Sequence, residues 1–235
     1  MFSDVESKEK HTVKAEEFGR LVAVCASLEF QVMASYLLPL VVVGYYTGLR
    51  PSELKRLAKD DVDLETGVIW VPKSKTKSGL RYITLKKQAW DVLRFWLTKT
   101  KGRWVFPSPR KPGTYIQDFG RAFEKAAKKA GLTGISPDCL RHTFATRVNR
   151  KVRRQSDLRE MMGHSKDRHT LPYLHEELED KRAAVEALPV PANFTTVLET
   201  WKRGPDPDEG QVPVPEELIM VGPWGLEPQT STVSR

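Results

Sequence analysis

The stretch SPDCLRHTFATR, residues 136–147, predicts a helix and places an arginine close to its start. Ser136 can cap a helix N-terminus, and the following pattern extends the predicted helix over about residues 137–149. Arg141 falls about one turn into this helix, and free N–H groups at helix N-termini suit phosphate oxygens. Asp138 precedes Arg141 by three residues and raises a question, because a carboxylate repels a phosphate bound there.

Two other positions place a cation or an imidazole beside a predicted helix end. Arg50 precedes Pro51 at one helix start, and His164 follows the helix-ending glycine of SDLREMMGH. Alone, such an arginine is more often a surface ion pair, and such a histidine more often binds the last helix carbonyls. Together, two arginine forks and a histidine can hold one phosphodiester and stabilise the charge of a five-coordinate transition state.

The charge of the chain is positive and unevenly distributed. The 235 residues carry a net charge of +8, but residues 204–235 contain six acids and one base, so residues 1–203 carry a net +13. This strong positive charge favours a polyanionic partner, most simply nucleic acid, although a solubilising surface is an alternative explanation.

Cysteine content and apolar runs indicate a cytoplasmic protein outside the membrane. Cys25 and Cys139 are too few for a disulfide framework and fit a reducing cytosol. The most apolar run, residues 32–46, is shorter than the roughly 20 residues of a membrane span and contains Pro39, so we interpret it as a buried helix.

Periodicity along the chain predicts an α+β fold that is mostly helical with one small antiparallel β-sheet. Residues 67–72 and 81–85 are rich in β-formers and flank a basic hairpin loop, residues 73–80. Helices are predicted over 12–28 with Thr12 as cap, over about 30–46 before a left-handed Gly48, from Pro51, and over 87–100, about 115–130 and 168–188.

Three segments resemble, in order, the conserved boxes of tyrosine recombinases, the phage integrase family. They are TGLRPSEL (47–54), CLRHTFATR (139–147) and MGHSKDRHTLPYLH (162–175), and Tyr173 lies nine residues after His164. The resemblance implies a tyrosine-recombinase catalytic domain. It also implies site-specific cleavage and rejoining of DNA strands through a 3′-phosphotyrosyl intermediate.

The family pattern implies a role for each matching residue. Tyr173 would be the nucleophile, which needs help because a phenol has a pKa of about 10. Arg50 and Arg141 would clamp the non-bridging phosphate oxygens, and His164 would hydrogen-bond the same phosphate. Glu53, three residues after Arg50, would orient that arginine, although it is also a favourable acid in a first helical turn.

The basic hairpin would supply the general acid. The resemblance favours Lys75 as the group that protonates the leaving 5′-oxygen, with Lys77 as a rival. Lys73, Lys77 and Arg81 are candidate DNA contacts, although hairpin lysines are otherwise usually solvated charges.

The family implies double-stranded DNA as partner and a homotetramer on two duplexes. Because the phosphotyrosyl bond conserves the energy of the broken strand, we expect no cofactor and no metal. His164, His169 and His175 are spaced so that they do not share a helical face, and no acid cluster resembles a two-metal site.

The sequence departs from the family at three places. Asp138 stands where most members have histidine; it can favour the helix start and orient Arg141, or it can impair catalysis. Pro172 directly precedes Tyr173 and limits helix continuity there. The roughly eleven residues before Thr12 do not hold the family's N-terminal DNA-binding domain.

The sequence predicts three regions in the chain, and its departures from the family pattern leave two alternative functions open. We expect a flexible segment over 1–11, a catalytic domain over 12–188 and a Pro-rich, acidic, disordered tail over 189–235. The alternatives to a recombinase are a catalytically impaired DNA-binding remnant and a relaxing enzyme like the type IB topoisomerases.

Overall fold

The computed structural model describes residues 11–71, 81–151, 158, 161–162 and 174–204, with only the backbone for 174–178. Within these residues the protein is mostly helical, with one small sheet and a 3-10 turn at Lys59–Asp61. The helices are α1 (Ala15–Ala26), α2 (Leu28–Ala34), α3 (Leu37–Thr47), α4 (Pro51–Lys55), α5 (Lys87–Lys99), α6 (Gly120–Lys129), α7 (Pro137–Asn149), α8 (Leu174–Glu186) and α9 (Phe194–Arg203).

The core is built around α3, whose eleven residues are all buried. Its sequence LLPLVVVGYYT is apolar on every side, and α1, α5 and α7 pack against it. Pro39 does not break the helix because it lies in the first turn, where backbone N–H groups have no intrahelical acceptor.

The predicted single helix over 30–46 is instead two helices, α2 and α3, bent by 91°. Within the described residues no single helix is long and apolar enough to cross a membrane. Only this bent pair reaches the required length and composition together.

The sheet contains β1 (Val62–Asp63), β2 (Val68–Val71) and β3 (Arg81–Thr84) in that order, with antiparallel neighbours. β2 and β3 confirm the two predicted β-rich runs, and β1 is a short addition that was not predicted. Val71 pairs with Arg81, and residues 72–80 between them lie outside the described residues.

Two helices begin later than predicted because tertiary contacts hold the preceding residues. α1 starts at Ala15 rather than near Thr12, since Val13 is fully buried and its backbone is bound to α7. Its N–H donates to Thr143 at 2.9 Å, and its carbonyl accepts from Arg147 at 2.8 Å. α6 likewise starts at Gly120 rather than near 115, because residues 115–116 pair with 106–107.

The expected disordered tail over 189–235 is wrong for its first part, because residues 194–203 form α9. Phe194, Leu198 and Trp201 recur at helical spacing, are buried, and lie on a helix that packs against α1. Residues 194–203 therefore belong to the folded part of the chain, beyond the expected boundary at 188. Residues 1–10 and 205–235 lie outside the described part of the chain.

Candidate catalytic site

The end of α3 directs the chain toward Arg50. Gly48 follows the last residue of α3 in the left-handed conformation, with φ 61° and ψ 19°, as its sequence position predicted. A Cβ at this position would overlap the ring of Phe144 on α7. Glycine is therefore needed both for the backbone conformation and for the close approach of α3 and α7.

Arg50 precedes α4 and is held by Glu53 in the first turn of that helix. The Arg50 backbone N–H donates to Glu53 Oε2 at 2.8 Å, and the Arg50 guanidinium donates to Oε1 at 3.0 Å. The Arg50 side chain keeps 34% of its surface exposed. It is therefore oriented by protein contacts and still accessible to an anion.

Glu53 also binds a second arginine, Arg81 at the start of β3. The two Arg81 guanidinium NH2 groups donate to Oε1 and Oε2 of Glu53 at 3.1 and 2.7 Å, and the Arg81 side chain is only 4% exposed. Burial alone would raise the pKa of Glu53, but the hydrogen bonds and charge of Arg81 and the hydrogen bonds of Arg50 lower it overall. The carboxylate therefore stays ionised between two guanidinium groups.

Arg141 projects from α7, whose bounds agree with the predicted helix, and donates to two backbone carbonyls. One bond runs to the carbonyl of Gly48 and the other to that of Met162, each 2.7 Å long. Burial, together with the charges of Arg50 and Arg81, lowers the pKa of Arg141 to about 10. The group remains cationic at neutral pH, and partial desolvation strengthens its interaction with an incoming anion.

The described part of the site carries an excess of positive charge. The guanidinium groups of Arg50, Arg81 and Arg141 act on one another and on a single nearby buried carboxylate, Glu53. A phosphodiester would compensate part of this excess, and a five-coordinate phosphorane with its extra negative charge would compensate more.

Asp138 is exposed in the first turn of α7, where the positive end of the helix dipole stabilises an acidic side chain. Among the described ion pairs within 4 Å none joins Asp138 to Arg141. Its charge opposes the lowering of the Arg141 pKa, so the two residues interact through space. This placement fits the helix-start account of Asp138 better than a direct role in holding the arginine.

Five of the predicted site residues lie outside the described residues: Lys73, Lys75, Lys77, His164 and Tyr173. Described residues close to His164 and Tyr173 show which parts of the structure these two segments adjoin. Met162 lies two residues before His164, and its carbonyl accepts the hydrogen bond from Arg141. Leu174, directly after Tyr173, begins α8, which packs against β3.

The contact between Glu53 and Arg81 was not predicted, and it corrects the assignment of Arg81 as a candidate DNA contact. Arg81 and Ile83 are both buried and share one face of β3. An arginine on the buried face of a strand requires an acidic or carbonyl partner, and this signal could have indicated that Arg81 needed one. Within the described residues, no cluster of three His, Cys, Asp or Glu side chains could hold a metal ion.

Comparisons with known proteins bear on the family and the fold of this chain. The family model described as Phage integrase family matches residues 11–179. Tyrosine recombinase XerD of Listeria innocua is 31% identical over 141 residues, which make up 56% of this chain and 47% of that protein. Tyrosine recombinase XerA of Thermococcus kodakarensis is 30% identical over 152 residues, 63% of this chain and 53% of that protein.

The chain spans about half the length of the curated relatives it matches. Among solved structures, the Tn1549 transposon integrase in complex with transposon right end DNA has a TM-score of 0.61 and 23% identity, covering 75% of this chain and 67% of that one. The crystal structure of XerA recombinase has a TM-score of 0.57 and 23% identity, covering 83% of this chain and 66% of that one. The mostly helical fold with its small antiparallel sheet is thus shared with these proteins.

Proposed function

The chain belongs to the phage integrase family, whose family model matches residues 11–179, and we propose that it is a site-specific DNA recombinase. It cleaves and rejoins DNA strands through a 3′-phosphotyrosyl intermediate. The observation that carries the proposal is the arrangement of Arg50 and Arg141 at the end of α3. One guanidinium is fixed by Glu53 and the other by the carbonyl of Gly48.

In the proposed reaction the two arginines bind the non-bridging oxygens of one DNA phosphate. The phenolic oxygen of Tyr173 forms a bond to phosphorus as the bond to the 5′-oxygen breaks. The phenol gives its proton to an acceptor in the site, and Lys75 gives a proton to the leaving 5′-oxygen. The free 5′-hydroxyl, or that of another strand, then reverses the step and rejoins the DNA.

The arginines contribute most when the phosphorus is five-coordinate, since the negative charge on its oxygens is then largest. Arg141 is suited to this because burial has removed part of its hydration before the DNA arrives. Loss of one preorganised donor of this kind typically lowers a rate by about 10²–10³. His164 adds a further hydrogen bond to the same phosphate in this proposal.

Double-stranded DNA is the proposed partner, and a homotetramer on two duplexes in the cytoplasm is the proposed working state. The net charge of +13 over residues 1–203 supports a polyanionic partner. The structural relative from Tn1549 was solved with transposon right end DNA, which supports the same partner here.

A pool of nicked duplexes with randomised sequences tests the proposal and selects the target at the same time. Cleavage a few nucleotides from the nick releases a short fragment and traps the covalent protein–DNA adduct. We expect a protease-sensitive adduct that Tyr173→Phe abolishes and that Tyr115→Phe, a change at a half-buried tyrosine between α5 and α6, retains. Sequencing of the trapped DNA then gives a preferred duplex for further measurements.

The same experiment separates the enzyme from a DNA-binding remnant. DNA binding at low salt without any adduct would contradict the recombinase proposal and identify a protein that keeps the fold but does not cleave. Relaxation of supercoiled plasmid without strand exchange would instead indicate the topoisomerase-like activity.

A further inference from the structure

Arg81 is one of the most deeply buried charged residues in the described part of the chain. It is 5% exposed at the start of β3, where burial of a guanidinium is costly unless every donor is satisfied. Its position in the chain also matters, because residues 72–80 and the candidate acid Lys75 directly precede it.

The Arg81 guanidinium contacts two separate parts of the structure. Its two NH2 groups bind both carboxylate oxygens of Glu53, at 3.1 and 2.7 Å. Its Nε–H donates to the carbonyl of Met161 at 3.1 Å. The planar fork fixes these directions relative to one another, which a lysine ammonium at the same place cannot do.

Each of these contacts leads to another candidate catalytic residue. On one side Glu53 binds the Arg50 backbone and guanidinium, so Arg81 acts on Arg50 through one shared carboxylate. On the other side Met161 lies three residues before His164, and Arg141 binds the next carbonyl, that of Met162. Two arginines thus hold consecutive carbonyls of the segment that leads to the candidate histidine.

We propose that Arg81 is a positioning residue for DNA cleavage. Its single guanidinium sets Arg50 and the segment before His164 in register with one another. The proposal rests on the proposed recombinase function. Arg81 does not touch DNA in it; it acts through Glu53 and the Met161 carbonyl.

If Arg81 served only the stability of the fold, a variant that regained stability would also regain the cleavage rate. A pair of variants separates this role from the positioning role. Replacement of a buried ion pair by apolar or neutral groups of similar volume is often tolerated for stability. In Arg81→Met, Glu53 loses a partner and both stability and rate should fall. In Glu53→Gln/Arg81→Met the buried charge is gone, so stability should recover toward the wild type while cleavage stays slow.

Arg81→Lys is the main test, since it keeps the charge and removes the fork. We expect DNA affinity for the selected duplex to stay within about threefold, while adduct formation at saturating DNA falls by about 10²-fold, the usual effect of a small misplacement of catalytic groups. Lys86→Met is the matched control. It removes a buried cation that is 4% exposed. The partner of Lys86 is Glu186, the last residue of α8, whereas Leu174 beside Tyr173 is the first.

The Nε–H NMR signals of Arg50 and Arg141 give a readout that does not depend on activity. We expect both signals to shift in Arg81→Lys and to stay in place in Lys86→Met. A cleavage rate within threefold of the wild type in Arg81→Lys, or unchanged signals, would overturn the positioning role. A wild-type protein that forms no adduct, with the Arg81→Lys signals still shifted, would overturn the recombinase function while the arginine contacts stand.

Discussion

Arg141 on α7 donates a 2.7 Å hydrogen bond to the carbonyl of Gly48, the residue that directly follows α3. This bond joins two of the family's sequence boxes across 93 residues of chain. It also explains why the glycine matters for more than the turn, because its carbonyl helps to fix the guanidinium proposed to bind the DNA phosphate.

Gly48→Ala should therefore harm both stability and the site. The left-handed conformation costs an alanine about 1–2 kcal/mol, and overlap with the Phe144 ring adds about 1–3 kcal/mol. Urea unfolding measures the loss. Gly67→Ala is the control, since Gly67 has φ 69° but nothing within 4 Å, and it should lose only the backbone contribution. Equal losses in the two variants would contradict the close packing of α3 and α7.

The paired Glu53 should make the fold sensitive to acid. Because the pKa of Glu53 is lowered in the folded state, its contribution to stability is complete above the unfolded-state pKa, near 4.5, and is lost as the pH falls through the lower folded value. We expect Glu53→Gln to flatten the decline of unfolding free energy below about pH 5. Glu179→Gln, at an exposed position on α8, should leave that decline unchanged.

Local signals explain which parts of this structure could be predicted from the sequence. The bounds of α7 follow from its cap, its proline and its apolar spacing, and the turn at Gly48 follows from the glycine itself. The contact between Glu53 and Arg81 joins residues 28 apart on different elements, so no local pattern encodes it. Only the buried position of an arginine within β3 indicated that a partner was needed.

Composition misled the interpretation of the C-terminal region. Residues 189–235 are rich in proline and acids as a whole, and that average concealed the helical spacing of Phe194, Leu198 and Trp201. Helix α9 also depends on α1, from the other end of the described chain. Such support from distant residues is not visible in a composition window.

The packing of α9 can be tested at Trp201, which is 6% exposed and lies 5.0 Å from the Phe95 ring centre. Trp201→Ala should cost about 3–5 kcal/mol of unfolding free energy, the range for large buried aromatic residues. Trp70→Ala, on the exposed side of β2 with 36% exposure, should cost clearly less. A loss of unfolding free energy in Trp201→Ala as small as that in Trp70→Ala would show that α9 contributes little to the core.

Asp138 can be tested by restoring the family's residue. We expect Asp138→His to remain folded, because the side chain is exposed, and to form the covalent adduct faster than the wild type. An imidazole can hydrogen-bond a phosphate, whereas a carboxylate repels it. Adduct formation on the selected duplex measures the rate, and Asp138→Asn controls for loss of the charge. A slower Asp138→His would show that the aspartate does not impair cleavage.

The choice between Lys75 and Lys77 as general acid can be made with a sulfur leaving group. A duplex with sulfur in place of the bridging 5′-oxygen releases a thiol, whose pKa of about 8.5 makes a proton donor unnecessary. We expect Lys75→Ala to cleave the oxygen duplex about 10²–10⁴-fold more slowly than the wild type and the sulfur duplex at nearly the same rate.

Arg141→Ala supplies the contrast, because it should stay slow on both duplexes: the arginine acts on the non-bridging oxygens, which the sulfur substitution leaves unchanged. Lys77→Ala should cleave both duplexes at close to the wild-type rate. Rescue of Lys77→Ala by sulfur, with Lys75→Ala unaffected on oxygen, would transfer the proton-donor role to Lys77. Failure of sulfur to rescue either lysine variant would exclude both Lys75 and Lys77 as the proton donor.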